Sequence, residues 1–155
     1  MIQIPKSNNA DTRTATHKVS KEELLDNSRQ HISDVDQALH WMVGIILQKG
    51  VEHDWTKIKN IDAFYADYKA TQNGFQGDFK QMHWYHDLHL QERHHLKDYC
   101  PDDVTLFDVL ERIADCVMAG LGRAGNIYED TLDPTILSEA YQNTIKLLKD
   151  NTEVV

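Results

Sequence analysis

SKEELLDNSRQHISDVDQALHWMVGIILQKGVEHDWTK, residues 20–57, is the stretch on which the reading of this chain turns. Ser20 with Glu23 three positions on is a capping-box pattern, and it opens a helix that is expected to reach Lys49 before Gly50 stops it. Ile32, Val35, Leu39, Met42, Val43 and Ile46 recur at spacings of three and four, the stripe a buried helical face needs. Just beyond Gly50, His53 and Asp54 offer a nitrogen and an oxygen ligand side by side, and Lys57 follows one turn later, where its ammonium can meet an anion. Taken alone, Asp54 reads as well as a cap for the helix that follows.

Working outward, a second helix is expected from near His53 to Asn73-Gly74, with a break between Lys59 and Asp62. Residues 78–95 lack Gly and Pro and predict a third helix carrying Trp84, Tyr85 and a cluster of histidines. Thr105 with Asp108 caps a fourth, through about Leu121, whose core stripe is Leu106, Val109, Leu110, Ile113, Val117 and Leu121. Asp133-Pro134 starts a last helix through about Lys149. No segment has the period of a strand. The expectation is an all-α fold, with a flexible N-terminal arm over residues 1–19 and one helical domain over residues 20–155.

The 155 residues suffice for one domain with a core of its own. A formal charge of −9 disfavours a nucleic-acid polymer or an anionic membrane surface as partner. Two cysteines, Cys100 and Cys116, form neither a zinc-type pair nor a disulfide framework, and no cationic-then-apolar leader or membrane-length apolar run is present. These features predict a cytoplasmic protein. Nine histidines, five of them at 83, 86, 89, 94 and 95, are the unusual number. Histidine is the commonest metal ligand, and that density calls for an explanation.

On the fourth helix Asp108, Glu111 and Asp115 share the face opposite the core stripe, beside Ala114, Met118 and Ala119. Such acids usually form a solvated face, but small and large apolar residues among them suit a pocket wall. His31, the His53-Asp54 pair and Asp115 therefore follow in an order that resembles the HD-domain superfamily of metal-dependent phosphohydrolases. RQHISDV (29–35), HDWTKI (53–58), RHH (93–95) and DVLERIAD (108–115) are similar to a phage-rich branch of HD-like proteins, over about residues 28–152. Two departures stand out. Ile61-Asp62 replaces a Pro-Glu, and His94-His95-Leu96-Lys97 replaces a His-His-Pro-Glu, so that the acidic partner of the histidine pair is either dispensed with or supplied by Glu92 or Asp98.

The resemblance implies an HD-like bundle of about five to six helices and a metal site made by His31, His53, Asp54 and Asp115. Two imidazoles and two carboxylates suit Mn, Fe, Co or Zn better than Mg. Such an ion lowers the pKa of water from about 16 toward neutrality and polarises a phosphoryl oxygen. Asp54 and Lys57 are the expected catalytic residues, with Arg29 or Arg93 as further phosphate contacts. His89, His94 and His95 are candidates for a second metal or for phosphate contacts, and Asp62 and Glu111 for carboxylates that support the ligands. The implied substrate is a small phosphate ester, first of all a nucleotide, in a bacterium or a phage-infected host. A non-catalytic phage-type accessory protein that keeps the scaffold to bind a nucleotide or a host protein is the alternative, and an iron-dependent oxygenase a further one. Glu92 with His95 also forms one Glu-x-x-His pair of the di-iron type, but no second copy exists. The Trp and Tyr positions leave room for a homodimer face.

Overall fold

A computed structural model of the chain describes residues 1–6 and 18–155. Its elements are β1 Ile2–Ile4, α1 Lys21–Glu52, α2 Trp55–Lys59, α3 Ile61–Gln72, a 3₁₀ turn Phe79–Gln81, a π-helical stretch Trp84–His89, α4 Leu106–Ala124, α5 Pro134–Asp150 and β2 Thr152–Val154. The described chain is mostly helical, as expected. It divides into two units, Met1–Ile45 with Ile145–Val155, and Ile46–Thr144. No helix of the described residues is long and apolar enough to cross a membrane.

In the first unit, β1 pairs in parallel with β2, Ile2 opposite Thr152 and Ile4 opposite Val154. Hydrogen bonds from Ile2 N to Asn151 O (2.8 Å) and from Val155 N to Ile4 O (2.9 Å) extend the pairing, and Ile2 is buried. This short ladder corrects the expectation of a chain without strands. Three residues are too few for an alternating pattern to register. The rest of the expected arm, His17 included, lies largely outside the described residues.

The capping box of α1 forms as read, with Ser20 N donating to Glu23 Oε2 (2.8 Å) and Glu23 N donating to Ser20 Oγ (3.1 Å). Gly50 does not end the helix, which runs on to Glu52. The apolar stripe is not buried either. Ile32 is 67 % exposed, Leu39 55 % and Val43 51 %, and α1 has no buried residue among those described. Spacing dictates which face of a helix is apolar; it does not supply the surface that covers it.

The second unit holds its core around Leu96, Val104, Val109 and Ala140, with Leu106, Leu132 and Ile136 packed on them. The capping box of Thr105 and Asp108 opens α4, and Gly125, with φ 73°, closes it in the left-handed region that glycine accepts without strain. On α4 the inner face differs from the expected one. Asp108 is fully buried, whereas Leu110, Ile113 and Leu121 are about half exposed. The expected break falls at Asn60, between α2 and α3.

The third expected helix does not form as one piece. Asp78 caps the 3₁₀ turn by accepting from Lys80 N, and Trp84 N donates to Asp67 Oδ2 (2.7 Å). Leu90 N then reaches back five residues to Tyr85 O (2.8 Å), the π-helical pattern that often marks functional sites. Trp84, 1 % exposed, stacks between Phe64 (3.9 Å) and His89 (4.4 Å), so an aromatic layer supports the histidine segment from beneath.

Candidate metal centre

Asp54 sits between α1 and α2 with φ 56° and ψ 23°, and among the described residues it alone is non-glycine with positive φ. A left-handed aspartate costs free energy that its surroundings must offset. Glu92 does so. Its buried carboxylate accepts Asp54 N–H on Oε2 (2.8 Å) and Thr56 N–H on Oε1 (3.0 Å), holding the turn at both ends. The Thr56 hydroxyl also donates to Glu92 Oε1. Burial on its own would raise the Glu92 pKa, but the bonds from His89 and Thr56 outweigh it and bring the group down to about 2.

That chain of bonds also orients the imidazoles. Thr56 gives its one hydroxyl proton to Glu92, so its oxygen accepts from Nδ1 of His89 at 2.8 Å. The other nitrogen, Nε2, then faces His95 Nε2 at 3.0 Å and Asp54 Oδ1 at 3.7 Å. His94 Nε2 lies 3.8 Å from the same Asp54 oxygen. Burial first, and then the neighbouring His94 and His89, push the His95 pKa down to about 3, which keeps its ring neutral and able to ligate.

On the other side, His53 Nε2 stands 3.6 Å from Asp54 Oδ2 and 3.5 Å from Asp115 Oδ1. Its Nδ1 bonds Glu111 Oε1 at 3.1 Å, the carboxylate support a ligating histidine usually has. Two groups of potential ligand atoms thus share Asp54, one of His53, Asp54 and Asp115, the other of Asp54, His94 and His95, with atoms inside each group within 4.8 Å. His89 with Asp54 and Glu92, and Glu111 with His53 and His94, form overlapping groups. Glu92 is already committed to the backbone, which leaves it a support.

A test of fit comes from a group that lacks a partner. Asp54 Oδ1 is buried without any hydrogen bond, whereas His94 Nδ1 lies 3.2 Å from Glu111 Oε1. A buried carboxylate oxygen with no donor is costly, and here it is surrounded by imidazole nitrogens, where a divalent cation would satisfy it. The donor set of nitrogen and oxygen atoms could hold a metal ion.

The remaining expected residues divide. Lys57 Nζ is drawn to Asp54 Oδ2, so its charge lies at the site. Glu111 is held below its usual range: burial acts to raise it, but His94, His53 and Lys49 prevail. Arg93 is spent elsewhere, with Nε and a terminal nitrogen on the two oxygens of Asp108 (2.9 Å each) and another on Asp103 (2.8 Å), so it has no free edge for a phosphate. Asp62 is exposed in the first turn of α3 and belongs to none of the ligand groups. His31 and Arg29 are exposed on α1, outside those groups, and Arg29 pairs with Asp26 at 3.6 Å. His83 and His86 are exposed and share Asp87.

Sequence reasoning missed Thr56 altogether, and nothing in the pattern marks its hydroxyl. It also missed Lys49, which bonds the buried Asp108 at 2.6 Å and Glu111 at 3.2 Å. Of the two carboxylates left open as partner of the histidine pair, Glu92 lies 3.8 Å from His94 Nδ1 and Asp98 is taken by Lys80 and Tyr85, while Glu111 stands nearer to that nitrogen, at 3.2 Å.

No family model matches the sequence, and neither does any curated protein or solved structure.

Proposed function

We propose that the chain is a metal-dependent phosphohydrolase of the HD type, acting on a small phosphate ester. The observation that carries this reading is the orphaned Asp54 Oδ1, buried among His89, His94 and His95 while Oδ2 of the same carboxylate lies against His53 and Lys57. Asp54, His53 and Asp115 would hold one ion, and Asp54, His94 and His95 a second, with His89 beside it. When bound, divalent ions of this kind activate water at neutral pH and offset charge on a phosphoryl group.

The chain's own residues have separable parts in this scheme. Glu92 and Thr56 fix the backbone of Asp54 so that its two oxygens face opposite ways. Glu111 orients His53. Lys57 places a cation at the rim of the carboxylate cluster, where it can exchange Asp54 for a phosphate oxygen and so counter the substrate's charge. The sequence resemblance on its own implies a nucleotide as the ester, whereas the apolar walls beside His53 and Asp115 favour a different organic group.

The test is phosphate release from a panel of phosphate monoesters and nucleotides with Mn, Fe, Co or Zn added. Activity in the wild type, lost in Asp54→Ala and Asp115→Ala, is the expected result. Full activity in either variant would refute the assignment. The exposed stripe of α1 favours one second reading, a binding protein without turnover; there, metal loads but no ester on the panel is cleaved. Oxygen uptake with reduced iron would mark the oxygenase alternative.

A further inference from the structure

Between the last turns of α1 and the outer face of α4 lies a cleft of about 320 Å³, walled by Ile46, Phe107, Leu110, Ala114 and Met118. His53 and Asp115 belong both to its wall and to a group of potential metal ligands, so the cleft opens onto the candidate centre. Its other walls are apolar. Lys49 and Glu111 are turned to each other at 3.2 Å, and Lys49 is further held by Asp108. No side chain along Ile46, Phe107, Leu110 and Ala114 can donate or accept a hydrogen bond, and Met118 offers only a weak thioether acceptor.

Gly50 and Ala114 keep the cleft open, for neither brings a bulky side chain to it, and no atom approaches within 4 Å of where a Cβ on Gly50 would stand. The volume is at the lower end for a small-molecule site, roughly 300–1,000 Å³, and accommodates one ring or a short chain. A group with polar edges would lose its water here and find no partners along the walls, a strong ground for rejection. An apolar group would suffer no such loss.

We propose that this cleft receives the organic part of the phosphoester, and that this part is an apolar aryl or alkyl group and not a nucleobase. The inference rests on the phosphohydrolase reading for the ester itself, but the cleft is testable without it. Ile46, Leu110 and Met118, exposed by 42 %, 47 % and 64 %, are the side chains such a group would cover, and His53 and Asp115 mark the end at which its phosphate would lie.

The experiment is a methyl NMR titration of the full chain, carrying labelled Met and Ala methyl groups, with phenol, phenyl phosphate and uridine. Phenol and phenyl phosphate should shift the Met118 and Ala114 signals, and uridine should not. Ala114→Leu, which fills the cleft from an exposed helical position, should weaken phenol binding by roughly tenfold or more. Met118→Gln provides a second variant, changing polarity at nearly constant volume, and should weaken it too. Absence of shifts with phenol, uridine binding as tightly as phenol, or phenol binding unchanged in both variants would each overturn the proposal. Because phenol carries no phosphate, phenol shifts without ester hydrolysis would sink the phosphohydrolase reading and leave the cleft as an apolar-ligand site.

Discussion

Replacing Glu92 by Gln should damage both the stability of the protein and its capacity for metal, although Glu92 is assigned as a ligand to neither ion. The carboxylate accepts two backbone N–H groups and one hydroxyl in a buried setting. Hydrogen bonds to a charged acceptor contribute about 1.5–3 kcal/mol each, and a buried donor left without a partner costs about 1–3 kcal/mol. Gln keeps one acceptor oxygen and turns an amide NH₂ toward one of the two backbone N–H groups. One charged bond is thus lost and one donor orphaned, about 2.5–6 kcal/mol in all. The same change frees Asp54 from its left-handed conformation, which costs about 1–3 kcal/mol to maintain. Once it relaxes, its carboxylate no longer faces the imidazoles, and metal affinity should fall roughly 10–100-fold, as for other groups that position ligands. Urea unfolding of chelator-treated protein measures the first effect and metal titration the second. A variant within about 0.5 kcal/mol of wild type, with unchanged metal affinity, would refute the clamp.

The left-handed backbone at Asp54 also predicts an inverted preference between small residues. Asp54→Gly should be more stable than Asp54→Ala by about 1 kcal/mol, because only glycine adopts that φ without strain; equal midpoints in urea would count against the conformation. Asp108 gives a pH dependence: burial acts to raise its pKa, but Arg93, Lys49 and Thr105 lower it from 3.8 to about 2. The stabilisation, of order 2 kcal/mol, is therefore complete above about pH 4 and lost as pH falls through about 2. Asp108→Asn should abolish that part of the acid limb in a pH series of unfolding midpoints; a wild-type-like limb in the variant would contradict the assignment. Gly120→Ala should lower the melting temperature by an amount corresponding to about 1–3 kcal/mol, since a Cβ there would stand 2.6 Å from Asn126 O and 2.7 Å from Tyr128 N, both backbone atoms.

Helix starts were legible in the sequence because caps are local chemistry. Ser20 with Glu23, Thr105 with Asp108, and Asp133 before Pro134 each act within one turn, and each stands where its spacing puts it. The face that a helix buries was less legible. The apolar residues of α1 have helical spacing but no cover among the described residues, and α4 turns Asp108 inward because Arg93 and Lys49 neutralise it there. Both cations are distant in sequence, so no window of periodicity reveals them.

The site followed the same division. His53, Asp54 and Asp115 were named as ligands through the resemblance and His94-His95 as candidates beside them, and the fold brings these residues together. His31, named through the same resemblance, is exposed on α1 and belongs to none of the ligand groups among the described residues. Arg93 was read as a phosphate contact from its place beside two histidines, yet its guanidinium is consumed by Asp103 and Asp108. Glu92 supports the turn at Asp54 through Thr56, 36 residues from it along the chain, and only three-dimensional structure reveals the contact.

The most direct test of the central claim is elemental analysis of freshly purified wild-type protein with Asp54→Ala prepared in parallel. The account predicts about one or two equivalents of a transition metal per wild-type chain and their loss in the variant, since Asp54 belongs to both groups of ligand atoms. A wild type that takes up no metal even on reconstitution, or a variant that retains as much as the wild type, would contradict it.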